Sequence, residues 1–95
     1  MQILITQDAL EWFRQEVGLN EGDALRFFAK YGGQSRIHPG FSIGMTVERP
    51  SQVAAACEAE GILFFVRESD AWFFNDGNLR VDYDRDQDEL IYDIA

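Results

Sequence analysis

Hydrophobic positions along this chain change their period several times, and each change marks an element. Gln2 to Ile5 reads as a short strand. Thr6 then offers a hydroxyl as an N-cap, and Asp8 falls in the first turn, where negative charge suits the helix dipole. Ala9, Leu10, Phe13 and Val17 recur at helical spacing and Trp12 widens their face, which predicts a helix over Gln7 to Val17. Glu11, Arg14 and Gln15 are assigned to water, and Gly18 is suited to end the helix in a left-handed conformation.

From Ala24 to Tyr31 the period becomes two. Leu25, Phe27, Ala29 and Tyr31 fall on one side of a predicted strand, with Arg26, Phe28 and Lys30 on the other. A second alternating run puts Phe41, Ile43, Met45 and Val47 on one face and Ser42, Gly44, Thr46 and Glu48 on the other. Between them lies a glycine-rich connection, so a long hairpin with a loop at its tip is expected. Beyond Pro50 the alanine-rich stretch Ser51 to Glu60 carries Val53, Ala56 and Cys57 at helical spacing and reads as a short helix or turn closed by Gly61. The unbroken apolar run Ile62 to Val66 suits a strand buried on both faces. Ser69 is placed to cap a helical turn through Phe74, and Asn75-Asp76-Gly77-Asn78 has turn chemistry. Leu79 to Tyr83 and Leu90 to Ile94 read as the last strands, on either side of the acidic stretch Asp82 to Glu89. The expected architecture is one domain over residues 1–95, α+β but mostly β, with mixed and antiparallel strands, an N-terminal helix and short helical turns.

Composition narrows what such a domain does. With 17 acidic against 8 basic side chains the net charge is −9, which repels nucleic-acid phosphate and rules out a polybasic membrane anchor. One cysteine and one histidine cannot build a four-ligand zinc site, and an internal disulfide is impossible. Eight Phe, three Tyr and two Trp supply an aromatic core without metal or disulfide. No apolar run reaches the ~20 residues that span a bilayer. The N-terminus lacks the basic start and apolar stretch of a signal peptide, so a cytoplasmic location is expected, in keeping with a single reduced thiol.

Candidate chemistry concentrates in the loop Gly32, Gly33, Gln34, Ser35 and His38, where glycines permit close backbone approach and polar side chains converge. No phosphate-loop pattern is present and no helix follows, so a mobile hairpin tip is favoured over an anion cradle; if the loop is a binding site, its ligand is expected to be a protein or a small molecule. His38 has the chemistry of a general base or metal ligand, but a lone His before Pro is more often an ordinary loop residue. A hydrolase or transferase built on it would lack any recognisable nucleophile motif. Cys57 beside Glu58 and Glu60 suits a structural thiol better than a nucleophile. The alternate carboxylates from Asp82 superficially follow a calcium loop, but Gln87 stands where a sharp turn needs Gly and Asp93 where the bidentate Glu belongs. A solvated acidic face and turn is the expectation, with no resident metal or cofactor.

A set of segments in order carries a family resemblance. These are Ile3-Leu4-Ile5-Thr6 leading to a helix with Ala9, Leu25-Arg26-Phe27-Phe28 entering Gly32-Gly33-Gln34-Ser35, and Gly40-Phe41-Ser42-Ile43-Gly44. Gly61 to Val66, Trp72-Phe73 and Leu79-Arg80-Val81-Asp82-Tyr83 complete it. The ordered set resembles the HesB/IscA-like domain, the A-type family of iron–sulfur cluster biogenesis, and most of all its short, cysteine-poor branch. That family's cluster chemistry rests on three cysteines, one after the glycine-rich turn and a Cys-Gly-Cys near the C-terminus. Gln34 stands at the first position, the chain ends Tyr92-Asp93-Ile94-Ala95, and Cys57 matches none of them. The resemblance therefore implies a non-enzymatic, HesB-like binding or accessory protein, a monomer or homodimer, that does not itself carry a cluster. Iron or an iron–sulfur cluster enters as a ligand by resemblance alone. The alternative is an iron donor or accessory carrier in cluster assembly that uses His38 and the acidic segment instead of thiolates.

Overall fold

The alternation between Ala24 and Val47 becomes the centre and one edge of the larger of two sheets. The computed structural model describes residues 1–33, 38–75 and 77–95. Along them run β1 (Ile3–Ile5), α1 (Gln7–Trp12) continued by a π-helical turn (Phe13–Val17), β2 (Ala24–Tyr31), β3 (Phe41–Val47), β4 (Val53–Ala59) and β5 (Ile62–Arg67). A 3-10 segment (Glu68–Phe74), β6 (Leu79–Asp84) and β7 (Glu89–Ile94) follow. The four-stranded sheet has the order β3-β2-β5-β4 and the three-stranded sheet β1-β6-β7. In each, one pair is parallel, β2 with β5 and β1 with β6, and the other neighbours are antiparallel. The chain is thus α+β and mostly β, as its pattern predicts.

The Thr6 hydroxyl accepts the Ala9 N–H at 3.2 Å, capping α1, and itself donates to Asp82 Oδ1 at 2.7 Å. One side chain therefore starts the helix and ties it to β6. Gly18 ends the helical run at φ 79°, in the left-handed region. Val17 departs from its predicted place on the apolar face and is exposed, because the wider π-helical turn rotates it off the stripe that Leu10 and Phe13 continue.

Leu25 and Phe27 of β2, Phe64 and Val66 of β5 and Ala55 of β4 share the inner face of the large sheet. Against it pack Ala9, Leu10 and Phe13 from the helix, Ile3, Leu79 and Val81 from the small sheet, and Phe73 and Phe74. Phe13 centres this core, its ring 5.1 Å from that of Phe64 and 6.0 Å from that of Phe27. Gly44 has a packing reason to interrupt β3: a Cβ there would collide with the ring of Phe28, its cross-strand partner.

Two local expectations are corrected. Ser51 to Glu60 is not a helix. Val53–Ala59 forms β4, joined to β5 by the two-residue turn Glu60-Gly61, with φ values of 49° and 80°. Both residues lie left-handed, as a type I′ turn requires, and pairing with the buried β5 overrides the helix propensity of the alanines. Ser69 does not cap the turn that follows. Arg67 occupies the N-cap position without a side-chain bond, and Asp70 is the residue that anchors the segment.

Candidate functional site

β2 pairs with β5 only from Ala24 to Phe27, after which β5 gives way to the 3-10 segment. On that side the backbone of β2 then lacks a neighbouring strand, while β3 continues on the other, and the Asp70 carboxylate takes the place of β5. Its Oδ1 accepts the Ala29 N–H at 3.3 Å and its Oδ2 accepts from Arg26 Nη2 at 2.6 Å. Asp70 is only 8% exposed. The Asp70 bond holds the Arg26 guanidinium proton more firmly than usual, against the opposing effect of burial. Glu48, at 3.5 Å from Arg26 and 3.9 Å from Arg67, extends the pair across the sheet.

This anchor presents the 3-10 segment to the far end of the β2–β3 hairpin, where aromatic rings gather. Tyr31 meets Phe41 edge-on at 5.6 Å, and Phe41 meets Trp72 at the same separation. The His38 ring lies 5.7 Å from Trp72 and 5.3 Å from Phe73. Tyr31 is 87% exposed and Trp72 53%, while Phe73 beneath them is fully buried. The glycine-rich connection opens beside these rings. Gly32 donates its N–H to the Gly40 carbonyl at 2.7 Å, and Gly32, Gly33 and Gly40 all have left-handed backbones.

The structure thus brings Gly32, Gly33 and His38 to the same end of the hairpin, whereas the predicted site residues Gln34 and Ser35 lie outside the described residues. Sequence reasoning passed over Arg26, Asp70 and Trp72 as candidate functional residues. The available signal was a charge within the apolar run Leu25-Arg26-Phe27 and another at the head of Asp70-Ala71-Trp72-Phe73-Phe74.

His38 and the acidic segment are not brought together, since one belongs to the end of the large sheet and the other to the small sheet. Asp8, Asp82, Tyr83, Asp84, Arg85, Asp86 and Ile91 line an open depression of about 450 Å3. The carboxylates of Asp8, Asp82 and Asp84 are engaged within the protein. Asp84 accepts the N–H groups of Asp86 and Gln87, Arg85 binds Asp8 at 3.0 Å and Glu11 at 2.8 Å, and Tyr83 donates its hydroxyl to Asp88. The Thr6 hydroxyl and then the Tyr83 N–H hold the Asp82 carboxyl below the usual carboxylate range. Among the described residues no group of three or more His, Cys, Asp or Glu is arranged to hold a metal ion. Cys57, half-buried, sits opposite Phe64 and packs on the core. No helix is long and apolar enough to cross a membrane among the described residues.

Comparison with known proteins gives full-length relatives. The chain is 42% identical over 93 residues to the Pyruvate dehydrogenase inhibitor of Bacillus subtilis, covering 98% of each protein. It is 38% identical over 95 residues to an uncharacterized protein of Staphylococcus epidermidis and 36% identical over 95 residues to one of Staphylococcus saprophyticus, covering 97% of each in both cases. No family model and no solved structure matches it. These findings overturn the HesB/IscA assignment, and the accessory role in iron–sulfur assembly and the iron-donor alternative fall with it. The resemblance rested on the order of elements and on short segments without a diagnostic motif, and order of elements does not carry function.

Proposed function

Because the chain belongs to the family of small proteins that includes the Pyruvate dehydrogenase inhibitor of Bacillus subtilis, we propose that it is itself a protein inhibitor of the pyruvate dehydrogenase complex. The observation that carries this reading is identity of 42% sustained over 98% of both chains. The protein acts by binding, as a non-enzymatic regulator with a protein partner, in the cytoplasm. Its site supports that reading. An exposed Tyr and Trp, beside a part-buried ion pair, have the character of interface anchors, which are enriched in those residue types.

The test is steady-state NADH formation by purified pyruvate dehydrogenase complex of Bacillus subtilis with increasing amounts of this protein, alongside direct binding by biolayer interferometry. Saturable inhibition that parallels binding is expected. Full activity in the presence of a large molar excess, with no binding signal, would remove the reading.

A further inference from the structure

β3 is an edge strand whose outward side is chemically open. At one end of its ladder the Glu48 N–H donates to the Ala24 carbonyl, and at the other Gly32 donates to Gly40. Those bonds fix the alternation: the even-numbered residues Ser42, Gly44 and Thr46 bond β2, and the N–H and C=O groups of Ile43, Met45 and Val47 point away from it. The same three side chains lie on the face of the large sheet that includes Tyr31 and Phe41. Beyond the cover of the core, Met45 and Val47 are exposed, Val47 by 57%. An apolar strip therefore runs beside an unpaired backbone edge and ends in Tyr31, Phe41 and Trp72.

The other edges are protected. β4 carries Glu58 and a register shift between Val53 and Ala55, β7 carries Glu89 and Asp93, and β1 has three residues. Charges, bulges and shortness are the usual means of preventing strand addition. β3, Phe-Ser-Ile-Gly-Met-Thr-Val, has seven residues without a charge or a proline. In a chain of net charge −9 this is a conspicuous omission.

We propose that β3 is the docking edge for the target enzyme: an extended segment of the pyruvate dehydrogenase complex, apolar at alternate positions and set in a net-basic surface, adds to the sheet beside β3. The partner strand takes the outward N–H and C=O groups, and its apolar side chains lie on Ile43, Met45 and Val47 with Tyr31 at the end. Charge selects this occupant over a second copy of the chain. Two copies would oppose −9 with −9, whereas a basic surface is drawn in and meets no charged side chain on β3 itself. The inference rests on the inhibitor reading above.

Three variants and one control decide it, with Bacillus subtilis pyruvate dehydrogenase complex as the probe. Met45→Pro deletes an outward N–H and leaves the β2 ladder intact, Val47→Lys puts a cation on the strip, and Met45→Glu serves if the proline variant does not fold. Leu4→Lys alters an exposed apolar residue on β1 of the other sheet. Met45→Pro and Val47→Lys are expected to weaken binding and inhibition by roughly tenfold or more with near-wild-type melting, and Leu4→Lys to match wild type. Wild-type inhibition that persists undiminished in the folded β3 variants overturns the docking edge while leaving the inhibitor reading standing. A wild-type protein that neither binds nor inhibits overturns both. Sedimentation as a homodimer that Val47→Lys dissociates also overturns the proposal, because β3 would then be occupied by a second copy.

Discussion

Replacing Asp70 by Ala removes the acceptor on which the end of β2 and the start of the 3-10 segment both depend. The side chains of Arg26 and Asp70 retain 18% and 11% of their exposure, so water replaces the lost bonds poorly. A hydrogen bond to a charged group contributes about 1.5–3 kcal/mol net, and stranding the Ala29 N–H adds ~1 kcal/mol. Glu48, already 3.5 Å from Arg26, offsets part of this by keeping the guanidinium paired. The expected loss is about 3 kcal/mol, a large share of the roughly 5–15 kcal/mol that holds a domain of this kind folded. In a 95-residue chain this corresponds to a fall in Tm of roughly 12–24 °C. Asp70→Asn, which still accepts from Ala29, should lose about half as much. The double variant Asp70→Ala/Arg26→Met should recover about 1–2 kcal/mol of the sum of the single losses, since it no longer buries an underpaired cation. Urea unfolding supplies the free energies. In a Trp12→Phe background, Trp72 emission reports whether the segment has lifted from the hairpin. A loss below about 1 kcal/mol for Asp70→Ala, or strict additivity in the double variant, would refute the assignment of Asp70 as the anchor.

Gly61→Ala places a β-carbon at φ 80° and into the Glu21 side chain, so a loss of roughly 1–2 kcal/mol in urea unfolding is expected, and an unchanged midpoint would contradict the type I′ turn. Burial pushes the Tyr92 phenol up to about 12. Its neutral form therefore favours the fold fully below the ordinary tyrosine value of ~10, and that contribution, roughly 2–3 kcal/mol, is lost as pH rises toward 12. Tyr92→Phe should flatten the alkaline decline in stability, and an identical decline in both proteins would exclude Tyr92 as its source. Asp82, held low by Thr6 and Tyr83, works in the opposite direction: its contribution is present above the usual carboxylate range and disappears as pH falls through its depressed folded value. Thr6→Val should cost about 1 kcal/mol at neutral pH through the lost cap and donor, with the gap to wild type narrowing in acid; a gap constant with pH would argue against the Thr6–Asp82 bond.

Where a residue's neighbours in sequence decide its conformation, the fold was legible. Thr6 and Gly18 bracket the helical run, and alternation marks β2 and β3 with their shared register from Leu25↔Val47 to Tyr31↔Phe41. The failures came where distant partners decide. The alanines of β4 favour a helix locally and become a strand because β5 supplies an edge, and the Glu60-Gly61 turn that brings them together was read as a stop. The π-helical turn is equally invisible to a 3.6-residue period, so Val17 was assigned to the core. The glycine-rich connection falls between β2 and β3 where the pattern puts it, with Gly32 and Gly33 following β2 and His38 preceding β3. The ring cluster beside it was not foreseen, because Trp72 reaches Phe41 through contacts between distant positions: the burial of Phe73 and Phe74 in the core and the Arg26–Asp70 bond, which spans 44 positions.

The acidic composition and the uncharged β3 acquire different roles once the carboxylates are placed. Asp82, Asp84 and Asp88 each accept a bond from a side chain or backbone group nearby, and Asp8 and Glu11 share Arg85, so the acidic end of the small sheet is knit together as structure. Engaged carboxylates still act at a distance, because internal hydrogen bonds leave the net charge of −9 unchanged. A field of that sign accelerates encounter with a basic partner and weakens with salt over a Debye length of about 8 Å at physiological ionic strength. Contact itself then requires little charge, since ions desolvated at an interface recover their hydration cost only with near-ideal pairing. On the docking proposed above, steering by the carboxylates of the small sheet and contact through the neutral edge of the large sheet separate the two demands. Added salt should therefore slow association with the enzyme far more than it hastens dissociation, while substitutions on β3 should act mainly on dissociation.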